Sequence, residues 1–227
     1  AAKDVRAKIL KLASEELEAA EADLLLENGQ VSVKGVPDSA IPLGQLAQMA
    51  NPMRGAVKPG TEPGLESSNY FGPKYGATAN GVHAMIVEVD PDTMMLTIQK
   101  YVIVHDCGTV INPLILDGQI HGGVAQGIGN AFYEKLAYDD NGQLLSGSYM
   151  DYAMPRADAL PMFSVDHSCQ TPCTHNPLGV KGCGEAGAIG SPPAVVNAVV
   201  DALQSAGKDV THVDMPLSPD RVWAAMQ

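Results

Sequence analysis

Five glycines in the twelve residues Gly179-Val-Lys-Gly-Cys-Gly-Glu-Ala-Gly-Ala-Ile-Gly190 surround a single carboxylate, Glu185. Glycine lacks a Cβ, so a bulky group can approach such backbone closely, and a lone glutamate among glycines reads as a carboxylate aimed at that group. A flexible loop with a solvated glutamate fits the same letters, because glycine-rich stretches are often only turns. The run holds a literal G-x-G-x-x-G at Gly182, Gly184 and Gly187, the fingerprint of dinucleotide-binding folds. Its context argues against that use. The preceding THNPLGV has a proline and no apolar strand run, a helix is expected only after Ser191, and Asp201 falls inside that helix rather than at the end of a second strand. No G-x-x-x-x-G-K-[ST] occurs, which excludes a nucleotide P-loop.

A second candidate is DGQIHGGVAQGIGNAF, residues 117–132. On a helix, Gln119 and Gln126 fall within about 20° of each other, so two amides share one face. Gly122, Gly123, Gly127 and Gly129 each cost an interior helix about 0.8–1.0 kcal/mol relative to alanine. Either the amides serve a polar ligand that the glycines admit, or the glycines line a close helix crossing. The third candidate, His105-Asp-Cys-Gly-Thr-Val-Ile-Asn-Pro113, reads as strand end, turn and helix start, whose unpaired N–H groups suit an anion. Asp106 serves equally well as a plain turn residue. His83, His105, His121, His167, His175 and His212 form no metal-ligand pattern and are expected to be hydrogen-bonded or on the surface. Cys169, Cys173 and His175 sketch part of a zinc site, but no second ligand pair follows at the required spacing, which favours unpaired thiols in a loop.

These segments need elements to position them. Val5, Ile9, Leu12, Ala13 and Leu17 predict an amphipathic helix over about 3–20. Asn28-Gly29 within LLLENGQVSVK predicts a tight hairpin, and a short helix is expected from Leu43 to Ala50. Asn51 to Gly76 is rich in proline and glycine and lacks periodicity. Two long strands follow between Gly81 and Asp106, then a helix opened by Asn112 and Pro113 and running to about Tyr133. A turn at Asp139–Gly142, a strand FSVDHS, a helix capped by Ser191 with Val196, Val199, Ala202 and Leu203 buried, and a last helix from Ser218-Pro219-Asp220 complete an α+β chain.

Composition narrows the function further. Against 26 acidic residues stand 14 Lys and Arg, a net charge of −12 that repels a phosphate backbone and excludes nucleic acid as a partner. No apolar run approaches the ~18 residues of a membrane span, and the first ten residues hold no signal-peptide core. The four cysteines are too sparse for a disulfide scaffold, so reduced thiols and a cytoplasmic location are expected. The sequence opens at Ala1, without an initiator methionine, inside a helical pattern, and reads as a fragment.

Taken together, DCGTVINPLILDGQIHGGVAQGIGNAFYE, VKGCGEAGAIGSPPAVVNAVVDAL, YFGPKYGATANGVHAMIVEVDPDT and SPDRVWAAM resemble the C-terminal part of the large, molybdopterin-binding subunit of the molybdenum hydroxylases. That family contains the xanthine dehydrogenases, aldehyde oxidases and aerobic carbon monoxide dehydrogenases. The resemblance covers nearly the whole chain, with several motifs in the family's order. It implies an α+β cofactor-binding region over 1–227, either one unit or two intertwined subdomains, incomplete without a partner chain. It implies molybdopterin with molybdenum, as the cytosine dinucleotide or as the plain pterin, ligated without protein side chains, so no metal-ligating residue is expected. Glu185 matches the family's base, which activates a molybdenum-bound hydroxide for attack on an electron-poor carbon. Gln126 matches the amide that contacts the pterin. Gln119, Asp106, Cys107 and Asn112, with the backbone around Lys181, Gly182, Cys183 and Gly184, are matched to the pyrophosphate and nucleotide side. Implied partners are the remainder of the large subunit, a subunit with 2Fe-2S clusters and a flavin subunit with FAD, the last two taking the electrons from a small-molecule substrate. The contact with the remainder is expected in Asn51 to Gly76.

Two other readings compete. A cofactor-carrying or assembly module would keep the fold without turnover, and an ordinary nucleotide-binding enzyme would bind NAD or ATP tightly.

Overall fold

The computed structural model describes residues 1–54, 57 and 59–227. The chain divides into two compact units, Ala1–Gly72 and Pro73–Gln227.

In the first unit, α1 (Ala2–Leu17) and α2 (Leu43–Met49) accompany a three-stranded antiparallel sheet in the order β1 (Leu24–Glu27), β2 (Gln30–Val33), β3 (Val36–Pro42). Asn28 and Gly29 both take positive φ, 48° and 75°, the conformation that a two-residue hairpin turn requires. Ile9, Leu10 and Ala13 bury one stripe of α1 with Leu24, Val31 and Leu46. Within the stretch expected to lack pattern, Pro52–Arg54 forms a single 3-10 turn, and Gly55, Ala56 and Lys58 lie outside the described residues.

The second unit builds a sheet in the order β4 (Asn80–Val89), β5 (Leu96–Asp106), β6 (Phe163–His167). The first pair is antiparallel and the second parallel. Parallel neighbours need a long crossover, and α3 (Pro113–Phe132) lies within it. The Asn112 side chain accepts from the Ile115 N–H and Pro113 opens the helix, as the sequence predicts. The core joins Tyr101 and Ile103 of the sheet to Ile120, Val124 and Ile128 of α3 and to Val195, Val199 and Leu203 of α4 (Ala186–Ser205). A short α5 (Pro219–Ala225) adds Val222.

Two expectations need correction here. Helix α4 begins at Ala186, not after Ser191, and Pro192 and Pro193 lie inside it. Its buried stripe is Gly187, Ser191, Val195, Val199 and Leu203, so Val195 replaces Val196, and Ala202 is only half-buried. The cause is the crossing with α3. A Cβ on Gly187 would stand 2.5 Å from the Ile120 carbonyl oxygen, and one on Gly127 would stand 2.5 Å from the Ser191 Cβ. Ser191 is fully buried and donates to the Val124 carbonyl at 3.2 Å, so its hydroxyl joins the two helices instead of capping one. Gly123 and Gly127 therefore serve a helix crossing, whereas Gly118 and Gly122 face open space. By length and apolar composition α4 also suits a membrane span, but its apolar stripe is the centre of this core.

Candidate functional site

A cleft of about 340 Å³ opens between the start of β4, the end of β5 and the first turn of α4. Asn80, Gly81 and His83 come from β4, His105 from β5, and Gly182, Cys183, Gly184 and Glu185 from the glycine-rich loop. Glu185 occupies the N-cap position of α4, is exposed, and makes no capping bond, so its carboxylate is not spent on its own helix.

The loop is fixed to the end of β5. Lys181 N–H donates to the Cys107 carbonyl at 2.8 Å, Thr109 N–H donates to the Gly179 carbonyl at 3.0 Å, and Gly108 pairs with Val180 in an isolated bridge. Gly108 and Gly179 both sit at positive φ, and a Cβ on Gly108 would lie 2.1 Å from the Gly179 oxygen, so only glycine fits there. Beneath this seam the buried Asp106 carboxylate accepts from Gly108 N–H at 2.8 Å, from Gln170 and Thr171 N–H, and from the Thr171 and Ser168 hydroxyls. Lys181 Nζ lies 3.4 Å from it and donates to Thr171 Oγ1 at 2.6 Å. The Gly108 amide above all, with the Thr171 donors and the lysine, holds the Asp106 carboxyl far below the usual carboxylate range, against the opposing effect of burial.

Asp106 thus joins three segments through donors of its own chain, and Asn112 caps α3. Cys107 is buried, and burial pushes its thiol up. Cys183 lines the cleft. Gln119 is exposed on α3, and a Cβ on Gly184 would stand 3.8 Å from its Oε1, so this amide flanks the loop. Gln126 is exposed on the same helix and does not line the cleft. Cys169 and Cys173 are free thiols, and no three side chains able to hold a metal ion cluster among the described residues.

Sequence reasoning missed the imidazoles. His83 Nδ1 and the Tyr101 hydroxyl hydrogen-bond at 2.9 Å, and Gly190 leaves room for the His83 ring, where a Cβ would come within 2.5 Å. His105 is 2% exposed, with no partner for either ring nitrogen. Burial, then the neighbouring imidazole, lowers the pKa of both rings: His105 acts on His83, and His167 acts on His105.

Whether a large planar group fits the loop can be judged from its glycines. Gly182 has nothing within 4 Å of a Cβ and no positive φ, and Gly184 has only the tip of Gln119. Neither glycine is demanded by packing or backbone conformation inside this chain, so the space they leave faces outward and suits a ligand. The first turn of α4 adds amide donors that lack partners within the helix, a setting suited to anionic groups.

Residues 1–161 match the molybdopterin cofactor-binding domain. The large subunit of nicotine 6-hydroxylase from Paenarthrobacter nicotinovorans is 40% identical over 225 residues, 99% of this chain and 27% of the relative. The large chain of carbon monoxide dehydrogenase from Hydrogenophaga pseudoflava is 37% identical over 227 residues, 100% of this chain and 28% of the relative. The crystal structure of quinoline 2-oxidoreductase from Pseudomonas putida 86 is similar with a TM-score of 0.85 at 39% identity, covering 98% of this chain and 28% of that one. The chain thus spans little more than a quarter of the proteins it matches. Glu185 lies beyond the stretch matched by the domain but within the alignment to the carbon monoxide dehydrogenase chain, which takes in every residue. The chain belongs to the molybdopterin cofactor-binding domain family, as a portion of the kind of large subunit found in these oxidoreductases.

Proposed function

We propose that this chain forms one wall of the active site of a molybdenum hydroxylase, with Glu185 as the proton acceptor. The observation that carries the reading is the placement of an uncapped carboxylate in the lining of a cleft, beside two glycines that, among the described residues, meet nothing closer than the tip of Gln119. Molybdopterin, in its cytosine dinucleotide form, supplies the two-electron redox chemistry when bound. Gly182, Gly184 and the amides opening α4 would hold its anionic portion, with Lys181, Cys183 and the end of β5 behind them. Gln126 would offer its amide to the pterin, Gln119 would face the pyrophosphate and nucleotide side, and Asp106, Cys107 and Asn112 would support that side by fixing the backbone there.

Within this frame Glu185 takes a proton from the attacking oxygen as that oxygen closes on an electron-poor carbon of a small-molecule substrate. A carboxylate in a cleft closed to water is a stronger base than one in bulk solvent. Closure falls to the remainder of the large subunit, which would cover side chains such as Tyr149, Met150 and Met162, each at least 90% exposed. Electrons would pass to iron–sulfur and flavin subunits, in a cytoplasmic complex.

The test is Glu185→Gln in the assembled enzyme, with molybdenum and pterin measured alongside turnover. Turnover should fall by about 10²–10⁴ while both contents stay at the parent's level. Undiminished turnover would reject Glu185 as the base and favour an assembly module.

A further inference from the structure

One histidine from each strand of the second unit's sheet reaches the same end of its inner face: His83 from β4, His105 from β5 and His167 from β6. In the strand register His105 lies beside His167 on one side and opposite Gly81 on the other, where no side chain intervenes. Both ring nitrogens of His105 and Nδ1 of His167 are buried without a partner. Buried polar atoms are nearly always paired, so three orphans on two adjacent rings call for an explanation. The other nitrogen of His167, Nε2, meets Asp117 Oδ1 at 2.6 Å.

The two ends of this row differ. At the inner end His83 and His105 line the cleft that holds Glu185. At the outer end the Asp117 side chain is 49% exposed on α3. Other ionisable groups nearby are the Asp106–Lys181 pair at the end of β5, Cys183 in the loop and His121 on α3. The Asp106 and Lys181 charges are paired with each other, and burial favours the uncharged form of His105, a ring that keeps one N–H and one lone pair and so can take a proton on one side as it gives one up on the other.

We infer that His105, His167 and Asp117 form a path that carries protons from Glu185 in the cleft to solvent. The inference rests on Glu185 being the base: each turnover leaves a proton on its carboxyl, and that proton must depart before the next. Water in the cleft carries it to one nitrogen of His105, since neither ring nitrogen has a partner within the chain, while the other nitrogen releases one. A bridging water takes the released proton to His167 Nδ1, and Nε2 delivers one to the Asp117 carboxylate and then to bulk water. Each transfer breaks one O–H or N–H bond and forms another, no electrons move, and no net charge remains in the row. The water is required because no hydrogen bond joins the two rings directly.

The test uses the assembled enzyme. His167→Gln should lower turnover at least about tenfold with KM unchanged, and added imidazole should restore it. Asp117→Asn, a change at a half-exposed site with little bearing on folding, should give a smaller loss that imidazole also restores. A crystal structure of the parent at about 1.2 Å should show an ordered water within hydrogen-bond distance of ring nitrogens of both His105 and His167. Turnover of His167→Gln equal to the parent's, or a loss that imidazole leaves untouched, would overturn the path. So would an apolar or cationic group filling the space between the rings. If His167→Gln is insensitive to imidazole while Glu185→Gln is inactive, only the path fails; if Glu185→Gln turns over normally, the base assignment fails.

Discussion

Replacing Gly187 by alanine tests whether the helix crossing holds Glu185 in place. The added Cβ would stand 2.5 Å from the Ile120 carbonyl oxygen, 2.7 Å from the Val124 nitrogen and 2.9 Å from the Gly123 carbonyl carbon. Ordinary contact begins near 3.4 Å, so α3 and α4 must part by about 0.9 Å. All three offending atoms are backbone, so no rotamer change relieves the clash. Overpacking of this kind costs about 1–3 kcal/mol, and the rigid contact places it in the upper half of that range. Alanine's better helix propensity returns at most about 1 kcal/mol. The net loss is about 1–2 kcal/mol, a fall in Tm of about 2–8 °C for a unit of this size. Thermal unfolding followed by near-ultraviolet circular dichroism reads it. Gly118→Ala is the control, because that glycine lies on α3 with nothing within 4 Å of a Cβ, and it should hold or raise Tm. A Gly187→Ala protein as stable as the parent would refute the crossing as the device that sets the depth of α4.

Other substitutions separate the roles further. Gly182→Ala should leave unfolding free energy within about 0.5 kcal/mol of the parent's, yet reduce pterin content in the assembled protein, measured by fluorescence of the released and oxidised pterin. Asp106→Asn should lower Tm at neutral pH. Because the folded-state pKa of Asp106 is depressed, its contribution is fully present above the ordinary value of 3.8 and fades as pH falls below it, so the Tm gap between parent and variant should narrow below about pH 4. His83 and His105 titrate below the ordinary 6.5 in the folded state, so the unfolded chain binds more protons there and stability should decline as pH drops from 6.5. His83→Asn should soften that decline in denaturant titrations at stepped pH.

The local signals in the sequence carried through to the structure where the backbone alone decides. Asn28-Gly29 makes its hairpin, and Asn112-Pro113 opens α3 with the expected side-chain bond. Ser191-Pro192 misled because the same two letters that cap a helix also occur inside one when the serine hydroxyl finds a carbonyl on a neighbouring helix, here that of Val124. The histidines of the cleft were hidden by an irregularity in the sheet. Counting back from the turn at Pro91–Thr93 with strict pairing opposes Gly81 to Val104, but the register shifts by one between Ile86 and Val87. On β5, Gln99 and Lys100 are both exposed, after which Tyr101, Ile103 and His105 face inward. Unbroken alternation from Leu96 would have buried Val104 and turned His105 to the outside, and a one-residue slip exchanges the faces of everything beyond it. The glycine-rich loop was legible as a place of close approach, and at Gly179, Gly187 and Gly190 it is this chain's own atoms that come close. Its anchoring by Asp106 was not, because the donors from Ser168, Gln170 and Thr171 arrive from more than sixty residues away.

The paired prolines within α4 have a mechanical consequence. Positions 192 and 193 supply no N–H, so the carbonyls of Ala188 and Ile189 lose the donors that the helical ladder would bring them. Two consecutive rungs are missing between the turn that follows Glu185 and the long apolar remainder of the helix. That turn is therefore held less by its own helix than by the sideways contact of Gly187 with the α3 backbone. The position of the Glu185 backbone thus depends on the neighbouring helix as well as on the one that bears it.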